Sequence, residues 1–130
     1  MINMRELLEE MVARGASDLH LTAGLPPQYR IDGSVVSSDF PVLTPEATRQ
    51  LAYSILNEEQ KKRFENDREL DFSFGVQGIS RFRANCFMQR GVTTMGIRQI
   101  PYPIHTFEEL GLPPVVKSLV AKPQGLILVT

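Results

Sequence analysis

The chain has 130 residues, a formal net charge of −1 and one cysteine. That length suits about one domain, and 42% apolar with 22% charged residues describes a chain able to bury a core. A single cysteine excludes an internal disulfide, and no run approaches the ~20 apolar residues that cross a bilayer.

Residues 2–14 read as a helix, with Ile2, Leu7, Leu8, Met11 and Val12 at helical spacing and Gly15 at the position of a C-terminal cap. Its start, Met1-Ile2-Asn3-Met4-Arg5-Glu6, is acidic and amphipathic rather than basic then apolar, so no secretory signal is read there and a cytoplasmic location is expected. Ser17-Asp18-Leu19-His20-Leu21-Thr22 alternates polar and apolar residues, which predicts a half-buried strand. Gln28-Tyr29-Arg30-Ile31 and Val35-Val36 flank Asp32-Gly33-Ser34. Asp-Gly between short apolar runs predicts a hairpin, because both turn residues tolerate positive φ. Thr44 and Pro45 suit the N-cap and first position of a helix running to about Leu56. Residues 58–68 form a charged helix with few apolar anchors, most simply a solvated face.

A β-rich stretch follows. Leu70-Asp71-Phe72-Ser73-Phe74 alternates, Gly75-Val76-Gln77-Gly78 turns the chain, and 79–88 and 92–100 read as longer strands around Gln89-Arg90-Gly91. The order predicts an α+β domain with helices packed on one antiparallel sheet.

The net charge conceals an uneven map. Residues 1–71 hold 13 acids and 8 bases, whereas 72–107 hold no acid and four bases: Arg81, Arg83, Arg90 and Arg98. So modest a basic balance argues against a long nucleic-acid footprint and favours a small anion. With Arg90-Gly91 as the two turn residues, Arg83 faces Arg98, Arg81 faces Ile100, Asn85 faces Gly96 and Phe87 faces Thr94. Phe82, Ala84, Cys86, Met88, Met95 and Ile97 then share the opposite, core-facing side. Like charges across a ladder are unfavourable. Either a distant carboxylate such as Asp71 or Asp32 relieves them, or a bound anion bridges Arg83 and Arg98 with Arg81 nearby, since guanidinium grips two phosphate oxygens at once.

The tail differs in kind. Ile100-Pro101-Tyr102-Pro103-Ile104 cannot be regular helix or central strand and reads as a stiff linker. A short helix is predicted near 114–120. Leu126-Ile127-Leu128-Val129-Thr130 reads as a strand buried on both faces, as in parallel α/β sheets. A P-loop would follow such a strand, and no G-x-x-x-x-G-K-[ST] occurs in these residues. The expected organisation is one domain over 1–100, a linker over 101–112 and the truncated start of a second domain over 113–130.

Several residues have simple structural explanations. Asp18 and His20 lie on a polar strand face with too few neighbouring ligands for a metal, Cys86 is a buried inert thiol and Asp32 is a turn residue.

The chain resembles the type IV pilus and type II secretion motor ATPases, most of all the pilus retraction motors of twitching motility. The motifs are Ala16-Ser17-Asp18-Leu19-His20-Leu21 with Gly24 and Pro26-Pro27, and Arg30-Ile31-Asp32-Gly33. Ser80-Arg81-Phe82-Arg83-Ala84-Asn85, Gly96-Ile97-Arg98-Gln99-Ile100-Pro101, Leu110-Gly111-Leu112-Pro113 and Gly125 to Thr130 complete the set. The resemblance implies a PAS-like N-terminal domain entering a RecA-like domain, with the Walker lysine and catalytic Glu beyond Thr130, so this stretch alone would not be an enzyme. It implies ATP and Mg as ligands of the whole protein, bound between the domains. Arg83, Arg98 and less clearly Arg81 match the family's phosphate-binding arginines. Pro101, Tyr102 and Pro103 fall where the domains would hinge. It further implies a homohexamer on the cytoplasmic side of the bacterial inner membrane, working with the pilus platform protein there. No membrane insertion and no nucleic-acid partner are expected. The short stretch ahead of the first motif suits retraction rather than extension motors. The alternative reading is a stand-alone PAS-like module that senses a small anion or binds another protein.

Overall fold

The computed structural model describes residues 2–100 and 106–128. The chain divides into two compact units, Met1–Ile100 and Pro101–Thr130. In the first unit, helices α1 (Met4–Ala13), α2 (Pro45–Tyr53) and α3 (Glu58–Asp67) accompany strands β1 (Asp18–Leu21), β2 (Gln28–Ile31), β3 (Ser34–Ser37), β4 (Glu69–Val76), β5 (Ser80–Gln89) and β6 (Val92–Ile100). The strands form one sheet in the order β3-β2-β1-β6-β5-β4, with every neighbouring pair antiparallel. The expected α+β class is the observed one.

Local chemistry explains where the helices start. Asn3 accepts from the Glu6 backbone N–H at 2.8 Å, and Thr44 from that of Ala47 at 3.1 Å ahead of Pro45. Each cap satisfies a donor the first helical turn leaves orphaned. The charged helix α3 has a stronger start than its composition suggests. The Asn57 side chain accepts from Gln60 N–H at 2.8 Å, and the Gln60 side chain accepts from Asn57 N–H at 3.0 Å. This capping box compensates for a single buried anchor, Phe64.

The core forms on one side of the sheet. Met4, Leu7, Leu8 and Met11 of α1, Leu51 and Ala52 of α2 and Phe64 of α3 join one cluster with Leu19, Leu21, Tyr29, Leu70, Phe82, Ala84, Cys86, Met95 and Ile97. The Phe74 ring stacks on Phe82 at 5.5 Å between centroids. The Tyr29 hydroxyl donates to the Leu7 carbonyl at 2.8 Å, which ties α1 to β2 and satisfies a polar atom in the core. Burial, and then the neighbouring Glu10, push its hydroxyl pKa up.

Two turns set the registers. Asp32 (φ 49°) and Gly33 (φ 83°) join β2 to β3, and Arg90 (φ 52°) and Gly91 (φ 78°) join β5 to β6. Two successive positive φ angles match the right-handed twist of the flanking strands. Gly75 and Val76 remain in β4, so the turn predicted over 75–78 is shorter and centres on Gln77-Gly78. Val76 pairs with Ser80, and that ladder contact extends the strand.

In the second unit, Thr106 Oγ1 accepts from the Glu109 backbone N–H at 3.2 Å, Lys117 pairs with Glu108, and helix α4 spans Val115–Val120. The strand predicted over 126–130 is not present in its described part. Leu126, Ile127 and Leu128 lie outside any strand, with Leu126 83% exposed. A buried parallel strand needs neighbours to complete its ladder, and the described residues of this unit contain none. The predicted linker residues Pro101, Tyr102 and Pro103 lie outside the described residues, as do Val129 and Thr130.

Candidate functional site

The β5–β6 ladder has the register that the sequence predicts. Arg83 is opposite Arg98, Arg81 opposite Ile100, Asn85 opposite Gly96 and Phe87 opposite Thr94. Arg81, Arg83 and Arg98 are exposed, whereas the intervening Phe82, Ala84 and Ile97 are buried. The three arginines therefore occupy the sheet face turned away from the core. Arg81 lies across from Gly75 of β4, and a Cβ added there would meet Arg81 Nη1 at 3.1 Å.

The carboxylate relieving the arginine pair is neither Asp71 nor Asp32. Asp71 accepts from Asn85 Nδ2 at 2.8 Å, and Asp32 occupies its turn. The partner is Asp18 on β1, whose Oδ1 accepts from Arg98 Nε at 3.0 Å. Its Oδ2 lies 3.7 Å from Arg30 Nε and accepts from Ser17 Oγ at 2.8 Å. Sheet order explains the pairing: Asp18 sits between Arg98 on β6 and Arg30 on β2 in the two ladders that β1 joins. One transverse row thus runs Ser73, Arg83, Arg98, Asp18, Arg30, Val35 across all six strands. Sequence reasoning missed Asp18 because 80 residues separate it from Arg98. The available signal was an acid on the polar side of an alternating strand.

The electrostatics are asymmetric. Burial pushes the Asp18 carboxyl up, but hydrogen bonds from Ser17 and Arg98, with the charges of Arg98 and His20, outweigh it. They hold the carboxyl below its ordinary 3.8. Arg98 is thereby neutralised on one edge, yet its side chain is 73% exposed. Arg83 has no hydrogen bond or ion pair among the described residues. The row carries three guanidinium groups against one carboxylate, an arrangement suited to an anion with several oxygens.

The other candidates are structural. Cys86 is fully buried, and burial pushes its thiol up to about 12. Gln28 and Gly96 flank His20 in the ladders, and among the described residues no group of three or more His, Cys, Asp or Glu could hold a metal. A groove of about 530 Å³ opens elsewhere, among α2, α3 and the β5–β6 turn, lined in part by Arg49, Tyr53, Glu65 and Arg68. It includes none of the three arginines. The row sits on an open face, and an open face encloses little volume. Among the described residues, no helix is long and apolar enough to cross a membrane.

No protein-family model matches the chain. It is 45% identical over 129 residues to the type IV pilus retraction ATPase PilT of Pseudomonas aeruginosa, covering 99% of this chain and 38% of the relative. It is 38% identical over 127 residues to the type IV pilus ATPase PilU of the same organism, covering 98% of this chain and 33% of that relative. The chain thus spans little more than a third of the length of the curated relatives it matches. A crystal structure of the pilus retraction motor PilT with bound ADP superposes with a TM-score of 0.81 at 46% identity, over 94% of this chain and 36% of that one. By sequence and by fold alike, the chain is homologous to the N-terminal part of the PilT-type pilus ATPases.

Proposed function

We propose that the chain is the N-terminal part of a hexameric pilus retraction motor, with residues 1–100 as its PAS-like domain, 101–112 as a linker and 113–130 as the start of a RecA-like domain, and that Arg83 and Arg98, with Arg81 beside them, bind the phosphates of ATP in the whole protein. The observation that carries this reading is the cross-strand pair itself. Two arginines face each other on an exposed sheet face, Arg83 without a protein partner among the described residues, in a chain 45% identical to a retraction ATPase. Folding alone does not favour that juxtaposition, because like charges opposite in a ladder are destabilising.

The two guanidinium forks offer parallel N–H donors to phosphate oxygens, and charge-assisted hydrogen bonds of this kind are about twice as strong as neutral ones. Bound Mg²⁺ would neutralise part of the same phosphate charge, with ligands supplied from outside the described residues. Arg83 and Arg98 hold the phosphates while they carry most charge and release them once hydrolysis and phosphate loss reduce it. That cycle draws the N-terminal domain toward a RecA-like domain and lets it reopen about residues 101–103. The reading places the protein on the cytoplasmic side of the inner membrane, where the pilus platform protein is its partner.

The test is the ATPase rate of the full-length protein. Arg83→Ala and Arg98→Ala are each expected to lower it at least about tenfold, as loss of a phosphate-binding arginine does in other phosphoryl-transfer enzymes. Unchanged rates in both variants would remove these arginines from the mechanism.

A further inference from the structure

Arg83 and Arg98 are opposite in sequence register but unlike in their surroundings. Arg98 donates its Nε to Asp18 Oδ1 at 3.0 Å, while Arg83 has no hydrogen bond or ion pair among the described residues. Asp18 is itself held. Its side chain is 13% exposed, Ser17 Oγ donates to it at 2.8 Å, and Arg30 Nε stands 3.7 Å from its other side. Arg30 is fixed in turn, because its Nη1 donates to the Gly33 carbonyl at 3.1 Å in the β2–β3 turn. A chain of contacts therefore runs from that turn through Arg30 and Asp18 to the Nε edge of Arg98. The terminal amino groups of Arg98 stay without a partner among the described residues.

We propose that Asp18 is a positioning residue for phosphate recognition: by holding Arg98 at Nε, it presets the outer edge of that guanidinium beside Arg83 as one two-arginine cradle. The inference rests on the reading that these arginines bind ATP phosphates. Two effects of Asp18 oppose each other. Its charge reduces the attraction of the face for an anion, and its contact removes the freedom that Arg98 would otherwise lose on binding. Ordering one long side chain on binding is costly, whereas the Asp18 charge is already offset by Arg98 at 3.0 Å and Arg30 at 3.7 Å, which leaves little of its field to act on an anion. At moderate salt the positioning effect is the larger.

A double-mutant cycle on the full-length protein separates the possibilities. The probe is a non-hydrolysable ATP analogue with Mg²⁺, titrated at about 0.3 M salt, where the Debye length is well under 10 Å. Asp18→Ala is expected to weaken analogue binding about three- to tenfold in the wild-type background and less than twofold in an Arg98→Ala background. A merely structural role would not move that coupling, since lost stability acts in both backgrounds alike. Equal factors in the two backgrounds, no change, or tighter binding by Asp18→Ala would overturn the proposal. If Asp18→Ala does not fold, Asp18→Asn carries the same cycle. It keeps an acceptor oxygen for Nε and is expected to weaken binding about two- to threefold, with the same dependence on Arg98. Should Arg83→Ala and Arg98→Ala leave analogue affinity unchanged, the ATP-binding reading itself fails. Should they weaken it while Asp18 shows no coupling to Arg98, only the positioning role fails.

Discussion

Replacing each of the paired arginines in turn by glutamine should change stability in opposite directions. Glutamine keeps the stem to Cδ and a polar end, and removes the charge together with the terminal Cζ and Nη groups. Arg83→Gln relieves a like-charge contact without breaking a bond, because Arg83 has no ion pair among the described residues. Directly opposed like charges in a ladder cost up to about 1 kcal/mol, and exposure of both side chains reduces this to about 0.2–0.5 kcal/mol. Arg83→Gln is therefore stabilising by that amount, which for a unit of this size raises Tm by about 1–4 °C. Arg98→Gln gains the same relief but takes the charge off the donor of the 3.0 Å bond to Asp18, leaving that carboxylate with a neutral donor, Ser17 and a longer contact to Arg30. A hydrogen bond to a buried charged group is worth about 1.5–3 kcal/mol, and Arg98 is 73% exposed, so about 1 kcal/mol is lost here. The net effect is a destabilisation of about 0.5–0.8 kcal/mol. Urea denaturation of the 130-residue chain at low salt, repeated at about 0.5 M salt, measures both. The gain in Arg83→Gln should shrink with salt. Effects of the same sign in the two variants, or a gain indifferent to salt, would refute the pairing of Asp18 with Arg98 rather than Arg83.

Three further outcomes can be checked on the same chain. Asp18 has its folded-state pKa depressed below 3.8, so its stabilisation is present above that pH and lost as pH falls through the lower folded value. The stability gap between wild type and Asp18→Asn, followed by denaturation at several pH values, should be constant well above pH 3.8 and shrink progressively as pH falls below it. Cys86, with its thiol pushed up to about 12 in the core, should resist a thiol-specific reagent at pH 8 and react on unfolding in denaturant; rapid labelling of native protein would contradict its burial. Arg90 holds a left-handed conformation at φ 52°, which asparagine tolerates better. Arg90→Asn should raise stability by about 0.5 kcal/mol in thermal melts, and Gly91→Ala, at φ 78°, should lower it by about 1 kcal/mol.

What the sequence made legible was mostly local. Arg90-Gly91 fixed a turn, the turn fixed a register, and the register placed Arg83 against Arg98 with Phe82, Ala84 and Ile97 on the core side. Thr44-Pro45 likewise announced the start of α2. Local pattern does not encode sheet order, so nothing near Arg98 indicated that β1 would lie beside β6 and bring Asp18 to it. In α3 the charge run masks the strongest local signal, the capping box of Asn57 with Gln60, which starts the helix despite its single buried anchor. The apolar run Leu126-Ile127-Leu128 predicts a strand by composition, and composition supplies no neighbouring strand.

Strand order also dictates how this domain reaches its structure. β2–β3, β4–β5 and β5–β6 are joined by short local turns, so β1–β2–β3 and β4–β5–β6 can each form as a meander from neighbouring chain. The seam between them, Asp18–Leu21 against Met95–Arg98, closes a loop that contains most of the unit. Loop closure over that separation is costly, and such non-local pairing slows folding. Asp18 and Arg98 face each other across this seam. The arginine row therefore cannot be assembled until β6 has been synthesised and docked, which makes the arginine-bearing face one of the last parts of the domain to exist.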